Sequence, residues 1–372
     1  MKIGILVGSL EGGGAERVAL NLANAFSENQ CEVDLILVRA RGALVRELRK
    51  KVRVVDLGAS RARYAILPFR RYLRSQAPDV VLAIALEPNL VASLAVLGFA
   101  RRPLLLLTVH AALGPQLNAS PRLWRMLIKS ISRLLYKKAD YVVAVSSGIA
   151  ADLVRNSWVG AGHIRIIYNP VVREEDWNLS RDRAAIETQG GDFVPTILSI
   201  GRLAPEKNHA LLIKAFAQLL VRRDARLVIL GEGNCRADLE RCVARAGLSE
   251  KVTLAGYQPN PHPYLRAADL FVLSSDFEGF GNALVEAMAA GIPVVSTDCP
   301  HGPREILEDG AWGRLVPVGN VEALAIAMAD ALDNPGAAAT MRAQEFSVDR
   351  IAAKYLQLIQ EGLNDEPRGK RS

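Results

Sequence analysis

The densest set of groups that could do chemistry lies in the run SDFEGFGNALVEA, from Ser275 to Ala287. Glu278 and Glu286 flank a glycine-rich turn there, with seven residues between them, and the turn opens a predicted helix. The first amides of a helix have no partner within it, so they suit a phosphate. Glu286 lies one turn into this helix, where its carboxylate could accept hydrogen bonds from a ribose diol beside the phosphate. The alternative is a pair of acids favoured by the helix dipole, which explains Glu278 better than Glu286. The turn residues expected to offer amides are Phe280, Gly281, Asn282 and Ala283.

Two cations occur in a second loop, GRLAPEKN, which follows a predicted strand at Thr196–Ile200. Arg202 and Lys207 could reach one diphosphate together, the first as a planar fork and the second as a point charge. Two solvated loop cations are the alternative interpretation of this loop alone.

A third loop, EGGGAER at 11–17, joins the first predicted strand to the first helix. Its glycines, Gly13 and Gly14 among them, let the backbone approach an anion at the helix N-terminus. A tight strand-to-helix turn without a ligand is the plainer interpretation. The spacing is not G-x-G-x-x-G, and the second strand ends at Val38-Arg39 rather than at an acid, which disfavours a dinucleotide site.

Short apolar runs alternate with helical patterns along most of the chain, which predicts an α/β fold with doubly wound parallel sheets. The polar segment after Asn169-Pro170 predicts an interdomain connection. We therefore expect an N-terminal Rossmann-like domain at 1–170, a linker at 171–192, a C-terminal domain at 193–347 and an amphipathic last helix at 348–363. Ligands of such domains bind at the carboxyl ends of the strands, hence in a cleft between the domains. The predicted strands are Ile3–Gly8, Val33–Val38, Val52–Asp56, Val80–Ala85, Leu104–Val109, Tyr141–Val145, Ile164–Ile167, Thr196–Ile200, Arg226–Leu230, Lys251–Leu254, Leu270–Leu273, Val294–Ser296 and Leu315–Val316.

Composition sets limits on the class of protein. The chain has 372 residues, half of them hydrophobic, and a net charge of +7, which favours phosphates, anionic membranes or nucleic acid as partners. No apolar run reaches the ~20 residues needed to cross a bilayer, and the N-terminus resembles a buried strand rather than a signal peptide. The four cysteines show no metal or disulfide spacing, which predicts reduced thiols in a cytoplasmic protein.

The motifs GGGAER, GRLAPEKN and EGFGNALVE, in that order and spacing, closely resemble the retaining GT-B glycosyltransferases of family 4. The resemblance covers nearly the whole chain. It implies two Rossmann-like domains, with the last helix crossing back onto the first. It implies that Glu286 binds the donor ribose, that Arg202 and Lys207 hold the diphosphate, that Glu278 lies near the transferred sugar, and that Gly14 touches the phosphates.

Two further residues gain a role through this resemblance. His110 ends the strand Leu104–Val109, where a lone histidine is often structural, but similar enzymes place a histidine there against the donor sugar. The turn at Gly256 and Tyr257 resembles the family's base-binding loop, although an ordinary βα turn would look the same.

The chemistry expected is a transfer without metal or other cofactor. The sequence has no Asp-x-Asp and no cluster of metal-ligating residues, so cations and helix dipoles would stabilise the leaving diphosphate. The family resemblance implies retention of configuration. Since no residue is assigned as nucleophile, we favour front-face attack, with Glu278, His110, Arg202 and Lys207 in the catalytic set.

The run HGPREI at 301–306 resembles a loop of bacterial members that build polysaccharides or glycolipids, often from UDP-sugars.

The acceptor is expected to be a glycan or a lipid-linked sugar. A basic helix at 121–138, with Arg125, Lys129 and Arg133 on one face and apolar residues on the other, either lies on an anionic membrane or packs its apolar side on the sheet. The first alternative would place the protein on the inner face of the cell membrane.

Other functions remain open at the level of sequence. A nucleotide-sugar epimerase can share the same two domains, and it would convert the donor without an acceptor. A non-catalytic nucleotide-sugar-binding protein is a further alternative, although it would be expected to lack Arg202, Lys207 or Glu286. A nucleic-acid partner is disfavoured because the charge is spread out and no basic-aromatic module occurs.

Overall fold

A computed structural model of the chain describes residues 1–112, 130, 133–156, 159–173, 194–336 and 338–365. These residues form two compact units: Met1–Pro170 with Val348–Ser372, and Val171–Ser347. Most of the basic helix at 121–138 and most of the linker at 171–192 lie outside the described residues. Each unit is an α/β structure built on one parallel sheet.

The first unit has a seven-stranded sheet in the order β3-β2-β1-β4-β5-β6-β7, with all pairs parallel. Its strands are apolar runs covered on both faces, as parallel sheets require. The strands are β1 (Lys2–Val7), β2 (Glu32–Leu37), β3 (Arg53–Asp56), β4 (Val80–Ile84), β5 (Leu104–Val109), β6 (Tyr141–Ala144) and β7 (Ile164–Ile166). The helices are α1 (Gly14–Glu28), α2 (Ile66–Gln76), α3 (Leu86–Ala95) and α4 (Ser147–Arg155).

The second unit has a six-stranded sheet in the order β10-β9-β8-β11-β12-β13, again parallel throughout. The strands are β8 (Thr196–Ile200), β9 (Arg226–Leu230), β10 (Val252–Gly256), β11 (Leu270–Leu273), β12 (Val294–Thr297) and β13 (Arg314–Val316). The helices are α5 (His209–Leu220), α6 (Arg236–Arg245), α7 (His262–Ala267), α8 (Asn282–Ala289), α9 (Pro303–Ile306), α10 (Val321–Asp333) and α11 (Thr340–Ala343).

The C-terminal helix, α12 (Val348–Asn364), belongs to the first unit and packs on α1 and β5. Its apolar residues recur at helical spacing, and Ile351, Tyr355 and Ile359 are buried. The rings of Tyr355 and Phe26 meet edge to face at 6.5 Å, a geometry that aromatic pairs favour. The helix therefore completes the core of the first unit.

The predicted doubly wound α/β fold is confirmed by the two sheets. All four cysteines are free thiols in the structure. Among the described residues, no helix combines the length and the apolar character that crossing a bilayer requires.

Candidate active site

The order of the second sheet places two of the predicted loops side by side. Strand β8 lies between β9 and β11, so the winding direction of the sheet reverses between β8 and β11. Ligands of open α/β sheets bind at such a reversal, beyond the carboxyl ends of the strands. The loops that leave β8 and β11 at this edge are Gly201–Asn208 and Ser274–Gly281.

The loop after β8 has a fixed shape. Its Pro205–Lys207 segment is a 3-10 turn, and Asn208 follows in the left-handed conformation with φ 43°. The Asn208 side chain caps α5 by accepting from the Leu211 amide at 3.2 Å. Gly231, with φ 141°, lies so close beneath the loop that a Cβ would overlap the Gly201 carbonyl oxygen. The Asn208 cap thus fixes the end of the loop at α5, and the close approach of Gly231 fixes its start at Gly201.

Three contacts join the loop after β8 to the loop after β11. The Asp276 amide donates to the Glu206 carbonyl at 2.8 Å, and the Asn208 side-chain amide donates to the Asp276 carboxylate at 2.8 Å. The Ser274 hydroxyl donates to the Lys207 carbonyl at 2.9 Å. Backbone and side chains therefore fix the position of Lys207 relative to the second loop.

The centre of the site is the ion pair of Lys207 and Glu278. Lys207 Nζ lies 2.5 Å from Glu278 Oε1, and the side chains are 23% and 8% exposed. The Ser275 hydroxyl donates to the same carboxylate oxygen at 2.6 Å. Such charge-assisted bonds are stronger than neutral ones. A largely buried carboxylate is thus held by a cation and a hydroxyl on one of its two oxygens.

Cys299 lies next to this carboxylate. Burial, together with the nearby charge of Glu278, raises the pKa of the Cys299 thiol to about 12. The thiol is therefore protonated at neutral pH, and nucleophilic chemistry through a thiolate is disfavoured here.

Arg202 is the second predicted cation, and it forms an ion pair with Glu206 within the same loop. Its side chain is 71% exposed, so this pair contributes little to stability. Burial acts to raise the pKa of Glu206, but hydrogen bonds from its own amide and from Arg202 lower it overall. Both candidate diphosphate-binding cations therefore have a carboxylate partner within the protein.

The turn before α8 is anchored by its aromatic residue. The Phe280 side chain is buried and meets Phe346 edge to face at 5.3 Å. Gly302, with φ 97°, lies against the Phe280 carbonyl, where a Cβ would overlap the oxygen. Gly281 precedes the helix in the left-handed region, and Asn282 and Ala283 begin the first turn of α8. Glu286 follows on α8 and is half-buried.

The Gly256–Tyr257 turn differs from the prediction in its position. Strand β10 continues to Gly256 rather than ending at Leu254, because its ladder with β9 resumes after an irregularity. Gly256 is therefore the last strand residue, and Tyr257, which is 40% exposed, begins the turn. Strand β9 separates this turn from the loop of Arg202 and Lys207.

The first unit has its own reversal point, between β1 and β4. The predicted glycine turn leaves β1 there and leads into α1, which begins at Gly14. The amides of Gly12 and Gly13 donate to the Glu16 carboxylate at 2.7 and 3.0 Å. A phosphate that took the Gly13 amide would therefore have to displace Glu16 from it, and the predicted phosphate contact of Gly13 and Gly14 stays a prediction.

His110 follows β5 at the same edge of the first sheet. Its Nε2 lies 2.8 Å from the Thr108 hydroxyl. Burial lowers the pKa of His110 to about 4, so the imidazole is neutral at pH 7. A neutral imidazole donates a hydrogen bond from one ring nitrogen and accepts one at the other. It carries no positive charge that would attract a phosphate.

The structure thus unites Arg202, Lys207, Glu278 and the turn before α8 around one sheet edge. It places Gly13, Gly14 and His110 in the other unit. Sequence reasoning missed Glu206 as the partner of Arg202, Ser275 as a donor to Glu278, and Thr108 as the partner of His110. Across the described residues, no three His, Cys, Asp or Glu side chains gather closely enough to hold a metal ion.

Sequence profiles of two families match the chain. The profile described as Glycosyl transferases group 1 matches residues 185–347, and the profile described as Glycosyltransferase Family 4 matches residues 12–175. Each match covers most of one of the two units.

Curated relatives extend the likeness over both units. An N-acetylgalactosamine-N,N'-diacetylbacillosaminyl-diphospho-undecaprenol 4-alpha-N-acetylgalactosaminyltransferase of Campylobacter jejuni is 33% identical over 86% of this chain and 87% of its own length. The lipopolysaccharide core biosynthesis glycosyltransferase LpsE of Rhizobium meliloti is 28% identical, over 93% and 96%.

Solved structures share the fold. A sucrose-phosphate synthase from Thermosynechococcus elongatus superposes with a TM-score of 0.83 at 22% identity, covering 97% of this chain and 98% of that one. The Anabaena protein HepE in complex with UDP and glucose gives 0.80 at 22% identity, covering 97% and 100%. The chain therefore belongs to the family 4 (group 1) glycosyltransferases, and its two parallel sheets are the two domains of their GT-B fold.

Proposed function

We propose that the chain transfers a hexose or N-acetylhexosamine, with retention, from a UDP-sugar to a glycan or lipid-linked acceptor in the synthesis of a cell-surface polysaccharide or glycolipid. The proposed binding of the sugar donor rests on the Lys207–Glu278 pair. This pair lies at the reversal point of the second sheet, and Arg202 lies in the same loop as Lys207. Two cations and a helix start fit a diphosphate, and a buried carboxylate beside them fits a sugar.

Support for the substrates comes from the relatives. The Campylobacter jejuni relative acts, by its name, on a sugar carried by diphospho-undecaprenol, and the Rhizobium meliloti relative is named for lipopolysaccharide core synthesis. HepE has been solved with UDP and glucose. These names favour a UDP-sugar donor and a lipid-linked acceptor for this chain.

The proposed mechanism is a front-face, metal-independent displacement in which the donor phosphate assists deprotonation of the acceptor. Glu278 is held on one oxygen by Lys207 and Ser275, which suits stabilisation of positive charge on the sugar ring better than bond formation to it. Trapping of a glycosyl-enzyme adduct on Glu278 would refute this mechanism. Chelation of divalent metal ions should leave turnover unchanged.

A donor panel tests the proposal. We expect UDP-sugars to raise the thermal midpoint and to be hydrolysed slowly without an acceptor, and we expect GDP- and ADP-sugars to do neither. Release of UDP from an α-linked donor, followed by an α-linked product in the proton NMR spectrum, would establish retention. An altered sugar without UDP release would instead favour an epimerase, and binding without any turnover would favour a non-enzymatic role.

The proposal includes peripheral binding to an anionic membrane, and a surface of the first unit supports it. Residues 57–78 contain five arginines and no acid. Tyr64, Leu67, Arg71 and Arg74 share a helical face by their three- and four-residue spacing, with Tyr64 55% and Leu67 66% exposed. The opposite face of α2 is buried through Phe69, Tyr72 and Leu73. Exposed apolar and basic side chains on one face match an anionic lipid surface.

Charge reversal at Arg71 and Arg74 tests this surface. We expect the Arg71→Glu/Arg74→Glu variant to lose about tenfold or more of its affinity for phosphatidylglycerol-containing vesicles, since each basic residue near such a surface contributes ~1 kcal/mol. Co-sedimentation would measure the loss. The matched control is Lys214→Glu/Arg222→Glu, an equal charge change at exposed positions of the second unit. Equal binding by both variants and the wild type would refute the assignment.

A further inference from the structure

A buried polar cluster lies behind His110 in the first unit. Thr108 is the one polar residue of the otherwise apolar strand β5, and it is fully buried. The Asn89 side-chain amide, from α3, donates to the Thr108 carbonyl at 2.9 Å and to the Tyr136 hydroxyl at 3.2 Å. A hydroxyl in such a place requires hydrogen-bond partners, because an unpaired polar group in a core is unfavourable.

The partners of the Thr108 hydroxyl determine where its single proton lies. The oxygen is 3.1 Å from the Ala83 carbonyl oxygen and 2.8 Å from His110 Nε2. A carbonyl oxygen can only accept, so the hydroxyl proton is donated to Ala83. The bond to His110 must then run the other way, from an Nε2–H group to the hydroxyl oxygen. If the hydroxyl donated to His110 instead, its oxygen and the Ala83 carbonyl oxygen would face each other at 3.1 Å without a proton between them.

This assignment leaves His110 Nδ1 with a lone pair. The atom is buried and has no hydrogen-bond partner within the part of the chain that the structure describes, while His110 as a residue is only half-buried at the end of β5. A buried acceptor without a donor requires a partner, and at this sheet edge, where ligands of such folds bind, a bound ligand can supply one. A phosphate oxygen cannot supply it, because a lone pair repels an anion. A sugar hydroxyl can.

We propose that Thr108 is a positioning residue that holds His110 as the Nε2–H tautomer, so that Nδ1 accepts a hydrogen bond from a hydroxyl group of a bound sugar. The inference rests on the proposed function for the sugar, but the tautomer follows from the protein alone. The hydroxyl could belong to the donor sugar or to the acceptor sugar, which the experiment separates.

The test combines NMR with two variants of Thr108. The chain has five histidines, so a sample labelled with ¹⁵N-histidine gives few resonances, and a His110→Gln variant assigns those of His110. We expect the wild type to show a protonated Nε2 and a free Nδ1. Thr108→Val, which keeps the shape and suits a strand, should shift the ring toward the other tautomer. Thr108→Ser should retain the wild-type spectrum.

Kinetics supply the second readout. We expect Thr108→Val to lower kcat/KM for the UDP-sugar about tenfold, the effect of one hydrogen bond, with UDP affinity unchanged and activity restored in Thr108→Ser. In a His110→Gln background, Thr108→Val should have no further effect. If Thr108 only supports the fold, Thr108→Val should reduce activity by the same factor in the wild type and in the His110→Gln variant. That result would overturn the proposal.

Ligand titrations separate the remaining outcomes. Movement of the Nδ1 resonance with UDP-sugar but not with UDP places the hydroxyl on the donor sugar, and movement only after the acceptor is added places it on the acceptor. A wild-type Nδ1–H tautomer, or no movement with either sugar in a protein that binds both, overturns the inference. Failure to bind any UDP-sugar would instead refute the proposed function, while the tautomer in the free protein would still be measurable.

Discussion

Replacement of Lys207 by methionine should reduce sugar transfer roughly 100- to 1000-fold, the range found when one preorganised donor to a developing negative charge is removed. Lys207 is positioned by the Ser274–Lys207 hydrogen bond and by its pair with Glu278, so its ammonium group is preorganised at the site. UDP affinity should fall about tenfold or more, because Lys207 provides a charge-assisted hydrogen bond to the diphosphate. Isothermal titration with UDP and single-turnover kinetics with the UDP-sugar measure the two effects.

The same substitution should also reduce stability. It leaves the Glu278 carboxylate, 8% exposed, without its cation, and breaking a buried pair from one side costs about 3 kcal/mol or more. The Lys207→Met/Glu278→Gln double variant should recover most of the free energy of unfolding in urea but not the activity. Lys214→Met, at an exposed position of α5, is the control and should change neither. Unchanged UDP affinity in a folded Lys207→Met protein would contradict the proposed donor site.

The sequence predicted the strands well because strands buried on both faces are continuous apolar runs. Leu104–Val109, Thr196–Ile200 and Leu270–Leu273 have the predicted bounds. The end of β10 was missed because its ladder passes through an irregularity before Gly256. Helix α3 was not identified, since it follows β4 within a single apolar stretch, where periodicity does not separate a helix from a strand.

The loops of the candidate site were also identified from sequence, but not the contacts within it. Lys207 and Glu278 are 71 residues apart, and only the order of the strands, β8 next to β11, brings them together. Hydrophobic periodicity carries no information on strand order. For that reason the loop predicted Lys207 at the diphosphate, and the family resemblance implied Glu278 near the sugar, but neither indicated that the two side chains pair.

The glycine turn of the first unit shows a different kind of omission. Glu16, in the first turn of α1, accepts the amides of Gly12 and Gly13, which is the half of a capping box that a glutamate provides; Gly13 has no side chain to provide the other half. The sequence shows only the glutamate of this motif, because the residue three positions before it is Gly13 and not a serine or threonine. In the free protein these two amides therefore already bond to a carboxylate, in the same way that Glu206 and Glu278 pair with the two cations of the second unit.

Substitution of Glu278 by glutamine should separate turnover from nucleotide binding. Glutamine keeps the shape and can still bond to Lys207 and Ser275, so the loops joined at this point should keep their positions. Loss of the negative charge should lower turnover of the UDP-sugar roughly 100-fold, because the carboxylate no longer stabilises positive charge on the sugar. UDP itself should bind about fivefold more tightly, since removing one negative charge near a diphosphate is worth ~1 kcal/mol even in a high dielectric.

The opposite directions of the two effects make the result diagnostic. If Glu278 served only to hold Lys207 in place, UDP affinity and turnover in the glutamine variant would either stay unchanged or fall together. Glu240→Gln, which removes an exposed carboxylate paired with Arg236 on α6, is the matched control and should leave both unchanged. Raising the salt concentration should change the gain in UDP affinity only slightly, because dissolved ions screen a carboxylate that is only 8% exposed much less than an exposed one.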